Sequence, residues 1–142
     1  MSEQEKYGYI LRINTEEWEN QIFEIQKYYT GLRRDYNRGN VILFMKKVKV
    51  DSIVGYGIID KVEMLWEMTP EEENYCKENK WRLALSFKPL IRFRKPYPKK
   101  VSILKDDKRK GYFLHGARLT ENQVEAILDG AEKYQDDTLE ES

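Results

Sequence analysis

Apolar and polar positions repeat along this chain in two different periods, and the switches between them mark its elements. "YGYILRI", Tyr7 to Ile13, has the β-branched and aromatic content of a strand. From Asn14 the period lengthens. Trp18, Ile22, Ile25 and Tyr29 recur at spacings of three and four, the apolar face of a helix that Asn14 and Glu17 open in the manner of a capping box. Gly31 and Gly39 break the pattern in a basic loop, "TGLRRDYNRGN". "VILFMKKVKV" and "SIVGYGIIDKVEML" follow as strands, with Asp51-Ser52 as the turn between them. The first opens with a continuous apolar run, which predicts a central strand buried on both faces. "GYG" at Gly55 to Gly57 lies inside a strand pattern, where small residues admit a neighbouring chain or mark a bulge.

The second half reads in the same way. Thr69, Pro70 and Glu71 to Glu73 give a cap, a proline at the first helical position and carboxylates where the helix dipole favours them, so a short exposed helix begins here. In "KWRLALSF", Trp81, Leu83, Leu85 and Phe87 alternate with Arg82, Ala84, Ser86 and Lys88, the period of a half-buried strand. On that alternation Trp81, like Trp18 on its helix, belongs to the core. Pro89, Pro96 and Pro98 end that strand or make an edge of its continuation. "VSIL" and "GYFLHG" supply short strands separated by the turn "KDDKRK". Thr120 and Gln123 form a second capping box, Leu119 staples to Val124, and Val124, Ile127, Leu128 and Ala131 make the buried stripe of a closing helix. Beyond Tyr134, residues 135–142 read as an acidic tail. The order β-α-β-β-α-β-β-β-α predicts one α+β domain over residues 1–142, ordered from about 7 to 134. Its centre is expected to be a small curved β-barrel of about five to six strands flanked by short helices.

Composition narrows the chemistry. The 142 residues suffice for one core, and 40% apolar with 13% aromatic content argues against disorder. No apolar run approaches the roughly 20 residues that span a bilayer, and the polar opening "MSEQEKYG" is unlike a leader peptide, so a reducing cytoplasm is the expected location. Cys76 is the single cysteine and His115 the single histidine. An internal disulfide and a cysteine-cluster zinc site are therefore excluded, and neither a metal nor a cofactor is expected.

The formal net charge is zero, yet the charges are segregated. Residues 1–60 carry nine basic and nine acidic side chains, and residues 61–79 carry two and six. From Lys80 to Arg118 thirteen basic residues meet only Asp106 and Asp107, while residues 119–142 hold eight acids against Lys133. A local block of that size attracts a polyanion although the whole molecule is neutral.

None of the phosphate-loop, nucleophile-elbow or zinc-protease motifs occurs. His115 beside Gly116 reads as a structural or ligand-contact histidine, and Cys76, on an acidic helix, is a poor nucleophile. What remains is basic and aromatic. Arg33, Arg34, Lys46 and Lys47 flank the first glycine loop, and Arg92, Arg94, Lys95 and Arg118 lie in the second half. Cations spread over a surface suit a phosphate backbone, and planar rings beside them suit bases.

Several strings, in their order, resemble the PUA-like superfamily and in particular its EVE branch, with YTH and ASCH domains as relatives. "YGYILRINTEEWE" is similar to the EVE opening, a strand followed by a tryptophan-bearing helix. "YYTGLRRDYNRGNVILFMKK" is similar to the segment that carries a pocket aromatic before a basic turn, and "SIVGYGIIDKV" to the strand after it. "WRLALSFKPL" and "GARLTENQVEAIL" resemble the late basic strand and closing helix, so the likeness runs from residue 7 to about 133.

The resemblance implies a non-catalytic module that binds RNA or DNA, holding a flipped base, a modified one included, in an aromatic-lined pocket. It places Arg12, Asn14, Tyr29, Leu32, Met45 and Tyr112 at that pocket. Arg33, Arg34, Lys46, Lys47, Arg92, Arg94, Lys95 and Arg118 fall to the nucleic-acid backbone. Met45 and the lysines after it stand where the family often has a tyrosine-rich end, so the preferred base does not carry over. An ASCH-like RNA-cleaving enzyme, with Lys46, Tyr112 or His115 as acid/base groups, is the alternative, and a small-ligand or protein-binding module is a third.

Overall fold

Burial on both faces of one strand organises the molecule. In the computed structural model, which describes residues 7–109 and 111–141, β3 (Val41–Val48) sends Ile42 and Phe44 into one core and Val41, Leu43 and Met45 into another. A strand covered on both sides has to be internal. Parallel β1 (Gly8–Arg12) pairs with it on one side, Ile10↔Leu43, and antiparallel β4 (Val50–Met64) on the other. β5 (Leu83–Pro98) lies against β4, β2 (Lys27–Thr30) against β5, and β6 (Arg118–Leu119) against β1. The six-stranded order is therefore β2-β5-β4-β3-β1-β6.

Helix α1 (Glu16–Ile25) packs Ile22 into the core that holds Phe44, Leu85 and Phe87. Helix α3 (Glu121–Glu141) packs Val124, Ile127 and Ala131 into the core that holds Leu43 and Met45, and it extends into the acidic stretch read as a tail. α2 (Pro70–Glu78) starts at Thr69, whose hydroxyl accepts from the Glu72 N–H, with Pro70 at the first position as the sequence predicts. The Thr120/Gln123 capping box also forms, at 3.2 and 2.9 Å. Among the described residues no helix is long and apolar enough to cross a membrane.

Four local expectations are corrected, and the open choice at the prolines is resolved. The first helix is capped by Thr15, which accepts from the Trp18 N–H, and not by Asn14. It stops at Gln26, whose backbone is left-handed (φ 62°), so Tyr29 leaves the helical face and becomes a strand residue opposite Ala84. Of the two readings given to the prolines the edge holds: β5 runs through all three, β2 covers it only up to Ser86, and beyond that its second edge asks no N–H of Pro89 or Pro96. Neither "VSIL" nor "GYFLHG" is a strand: a 3₁₀ turn at Lys99–Val101 ends on the first residue of one, and another spans Gly111–Leu114 in the second. Finally, the turn between β3 and β4 is at Lys49 (φ 66°), one position before Val50, so that Asp51 and Ser52 are strand residues.

The expected barrel does not close. The sheet curls far enough for the Tyr28 hydroxyl to donate to the Arg12 carbonyl at 2.6 Å, joining edge strand β2 to the far end of β1. The other edge, β6, pairs at the opposite end of β1, with Gly8 and Tyr9, so the two edges have no common register in which to form a ladder. A gap is left between β1 and β2. The glycines of "GYG" fulfil both roles given to them: a Cβ on Gly57 would lie 2.7 Å from the Phe87 ring, and the β4–β5 register shifts around both.

Candidate functional site

The gap between β1 and β2 is a cleft of about 580 Å³. Its walls come from five places in the chain. The end of β1 gives Arg12 and Asn14, α1 gives Trp18, β2 and the turn after it give Tyr28 to Leu32, and the α2–β5 connection gives Lys80 and Trp81. His115, just before β6, completes it. The turn passes close because residue 31 is glycine: a Cβ there would meet the Lys80 carbonyl oxygen at 2.5 Å.

Rings dominate the lining. Trp81 lies nearly parallel to Tyr29 (5.4 Å between centroids, 9°) and to Trp18 (6.3 Å, 15°), and Trp18 stacks on Tyr28 (5.1 Å, 28°). Both tyrosines are fixed at their hydroxyls, Tyr28 on the Arg12 carbonyl and Tyr29 on the Glu72 carboxylate, each at 2.6 Å. Burial, and for Tyr29 also Glu72, pushes both phenols well above their ordinary value, so they are hydrogen-bond donors and ring walls. Trp18 and Trp81 are half-buried.

The polar groups are also held. The backbone N–H of Arg12 donates to Nδ1 of His115 at 3.0 Å, which places the neutral ring's proton on Nε2. Burial first, then Arg34 and Arg12, lower the His115 pKa and keep the imidazole uncharged at neutral pH. The Arg12 guanidinium pairs with Asp51 at 3.2 Å, both side chains largely covered. Among the described residues no carboxylate lines the cleft, and Arg12 and Lys80 are its charged side chains. Among the described residues no group of His, Cys, Asp or Glu gathers as a metal site requires.

Arg12 also lines a second cleft, of about 590 Å³, with Lys47, Lys49, Lys99, Lys100 and Lys105.

The structure thus brings together Arg12, Asn14, Tyr29 and Leu32 from the residues proposed for a pocket. Met45 is elsewhere, fully buried against Leu43 and α3. The Tyr112 side chain lies outside the described residues. The predicted backbone contacts disperse. Lys46 and Arg92 both bind the buried carboxylate of Glu19, at 2.8 and 3.0 Å. Arg34 donates to the Gly116 carbonyl, Lys95 lies over Tyr134, and Arg118 lies 4.0 Å from the centre of the Tyr7 ring. Arg33 and Arg94 are exposed and line neither cleft, whereas Lys47 joins the second. Sequence reasoning missed Trp18 and Trp81 as cleft walls, because periodicity assigned both to the core. It also missed Lys80, whose left-handed backbone (φ 62°) swings Trp81 toward Tyr29.

No family model matches this sequence, and no curated protein matches it. Among solved structures, the fold is similar to the crystal structure of a mutant ZmASCH protein from Zymomonas mobilis. The TM-score is 0.59, with 88% of this chain and 96% of that one covered at 10% identity. At that identity the likeness establishes the fold alone, a mixed α+β fold similar to that of ZmASCH, and nothing in it singles out the EVE branch.

Proposed function

We propose that this chain is a non-catalytic nucleic-acid-binding module that takes one unpaired base into the aromatic cleft between β1 and β2. The observation that carries the reading is the series of near-parallel rings, Trp18, Trp81 and Tyr29, in a cleft where the charged residues among the described lining are Arg12 and Lys80. An anionic ligand with a planar group fits both features. The likeness to an ASCH-type fold supports the same class of ligand.

Magnitudes agree. Stacking a base on a protein ring contributes about 1–3 kcal/mol, comparable with the few kcal/mol needed to unstack a base from a duplex. Single-stranded or already unpaired nucleic acid is therefore the better ligand. A methyl mark adds only about 0.8 kcal/mol by burial, so selectivity for a modified base has to come from the shape of the cleft. The phenols in the cleft are held protonated, which suits recognition better than nucleophilic attack.

The test is fluorescence anisotropy with a labelled single-stranded oligonucleotide. Trp81→Ala is expected to weaken binding by about 5- to 150-fold, the equivalent of one stacking contact, and Trp81→Phe to recover part of it. Equal affinity of wild type and Trp81→Ala would remove the cleft from recognition. Shortening of RNA during the incubation would move the chain to the enzyme class.

A further inference from the structure

The second cleft has a composition the first does not explain. The β3–β4 hairpin brings Lys47 and Lys49 beside the segment that follows β5, because Ser52 pairs with Pro98 and Lys99 comes next. Lys100 and Lys105 complete the group. Among the described residues none of Lys47, Lys49, Lys100 and Lys105 forms an ion pair. Lys99 donates to the backbone carbonyl of Asp107. Among the described residues the carboxylate lining this cleft is Asp51, which Arg12 engages. Ammonium groups collected without compensating acids repel one another and raise the local potential, which favours a multiply charged anion.

Arg12 links this cleft to the aromatic one. It lines both: its backbone bonds His115 and Tyr28 of the first, and its guanidinium pairs with Asp51 of the second. A nucleotide has the same plan, a planar ring with a phosphate one sugar away. We propose that the lysine cleft binds the phosphate adjoining the base held in the aromatic cleft, so that the ligand is recognised as a nucleotide unit with its phosphate directed across Arg12. The proposal rests on base binding in the aromatic cleft and adds the direction in which the strand leaves it.

The test is calorimetric titration at low salt with adenosine, its 3′- and 5′-monophosphates, its 5′-diphosphate and inorganic pyrophosphate. The proteins are wild type, Lys47→Gln/Lys100→Gln, Trp81→Ala, and a charge control, Lys77→Gln/Lys133→Gln, outside both clefts. At least one phosphorylated form should bind about tenfold or more tightly than adenosine, as charge-assisted hydrogen bonds allow. That advantage should vanish in Lys47→Gln/Lys100→Gln, with adenosine binding unchanged, and persist in the control. Pyrophosphate binding should be lost with the lysines and kept in Trp81→Ala. An advantage that survives the lysine substitutions, or one lost equally in the control, overturns the proposal. If pyrophosphate binds through the lysines while no adenosine form depends on Trp81, the phosphate site stands and the base-binding function falls. Absence of binding by every ligand rejects both.

Discussion

Tyr29 shows how one residue serves both stability and the cleft. Its ring is a wall parallel to Trp81, and its hydroxyl donates to Glu72, which Lys27 also contacts at 2.8 Å. Burial opposes the charge on Glu72, yet the hydrogen bonds from Lys27 and Tyr29 more than offset it and hold the carboxyl below its ordinary value. Folded protein then binds fewer protons at this site than unfolded chain. The stabilisation is present above the ordinary value of 4.5 and is lost as pH falls through the lower folded one. Tyr29→Phe keeps the ring and removes one donor, so it should cost about 1 kcal/mol near neutral pH. It should also flatten, without abolishing, the fall in melting temperature between about pH 5 and pH 3 that depressed carboxyls produce. Identical pH slopes for variant and wild type would place Tyr29 outside the network. Tyr29 was legible in the sequence through its place before "GL", as Arg12 was through the end of its strand. Trp81 was not. Alternation states which face a side chain takes, and Trp81, two residues ahead of β5, stands where that face opens to water. Lys46 and Arg92 misled for a complementary reason: a sequence displays their charge and hides the buried Glu19 that engages both.

At the scale of elements, the Glu19 cluster is what ties α1 to the sheet on its polar side. One carboxylate, 8% exposed, reaches Lys46 of β3 and Arg92 of β5, and Arg92 also lies over Phe23 of α1. Removing a partner from a covered ion pair leaves the remaining charge without compensation. Arg92 is 42% exposed and returns to water cheaply, so the cost falls mainly on Lys46, 18% exposed. Glu19→Gln should therefore lower stability by about 1–3 kcal/mol. A double-mutant cycle with Lys46→Gln in denaturant melts should show coupling; additive effects would mean the pair only coexists. The elements joined here were unequally legible. β3, β4, α2 and α3 announce themselves through long apolar runs or caps, signals that tertiary packing reinforces. β2 was concealed because Tyr29 falls at helical spacing from Ile25, and only pairing with Leu83–Ser86 decides in favour of the strand. The open sheet was beyond reach for the same reason. Closure depends on where two short edges meet β1, which no local pattern encodes.

For the whole molecule, zero net charge conceals a choice about which cations remain available to a partner. Of the thirteen between Lys80 and Arg118, Arg92 binds Glu19, and Arg109 binds Asp107 at 2.6 Å, with that hydrogen bond chiefly responsible for drawing the Asp107 carboxyl down to about 2. Lys99 contacts a carbonyl, Lys95 and Arg118 rest on rings, and Lys100 and Lys105 join Lys47 and Lys49 at the second cleft. Salt dependence distinguishes the two resulting footprints. For single strands the logarithm of affinity falls with the logarithm of salt at about 0.7 per phosphate neutralised. A strand following the whole basic block would give a slope near −9, whereas one base in the aromatic cleft with its adjoining phosphate in the lysine cleft gives about −0.7. We expect the shallow value for a short oligonucleotide titrated between about 50 and 200 mM salt, and a slope still shallower after Lys47→Gln/Lys100→Gln. A wild-type slope steeper than about −5 would mean that binding follows charge density over a broad face, and the two clefts would then lose their claim to be the recognition surface.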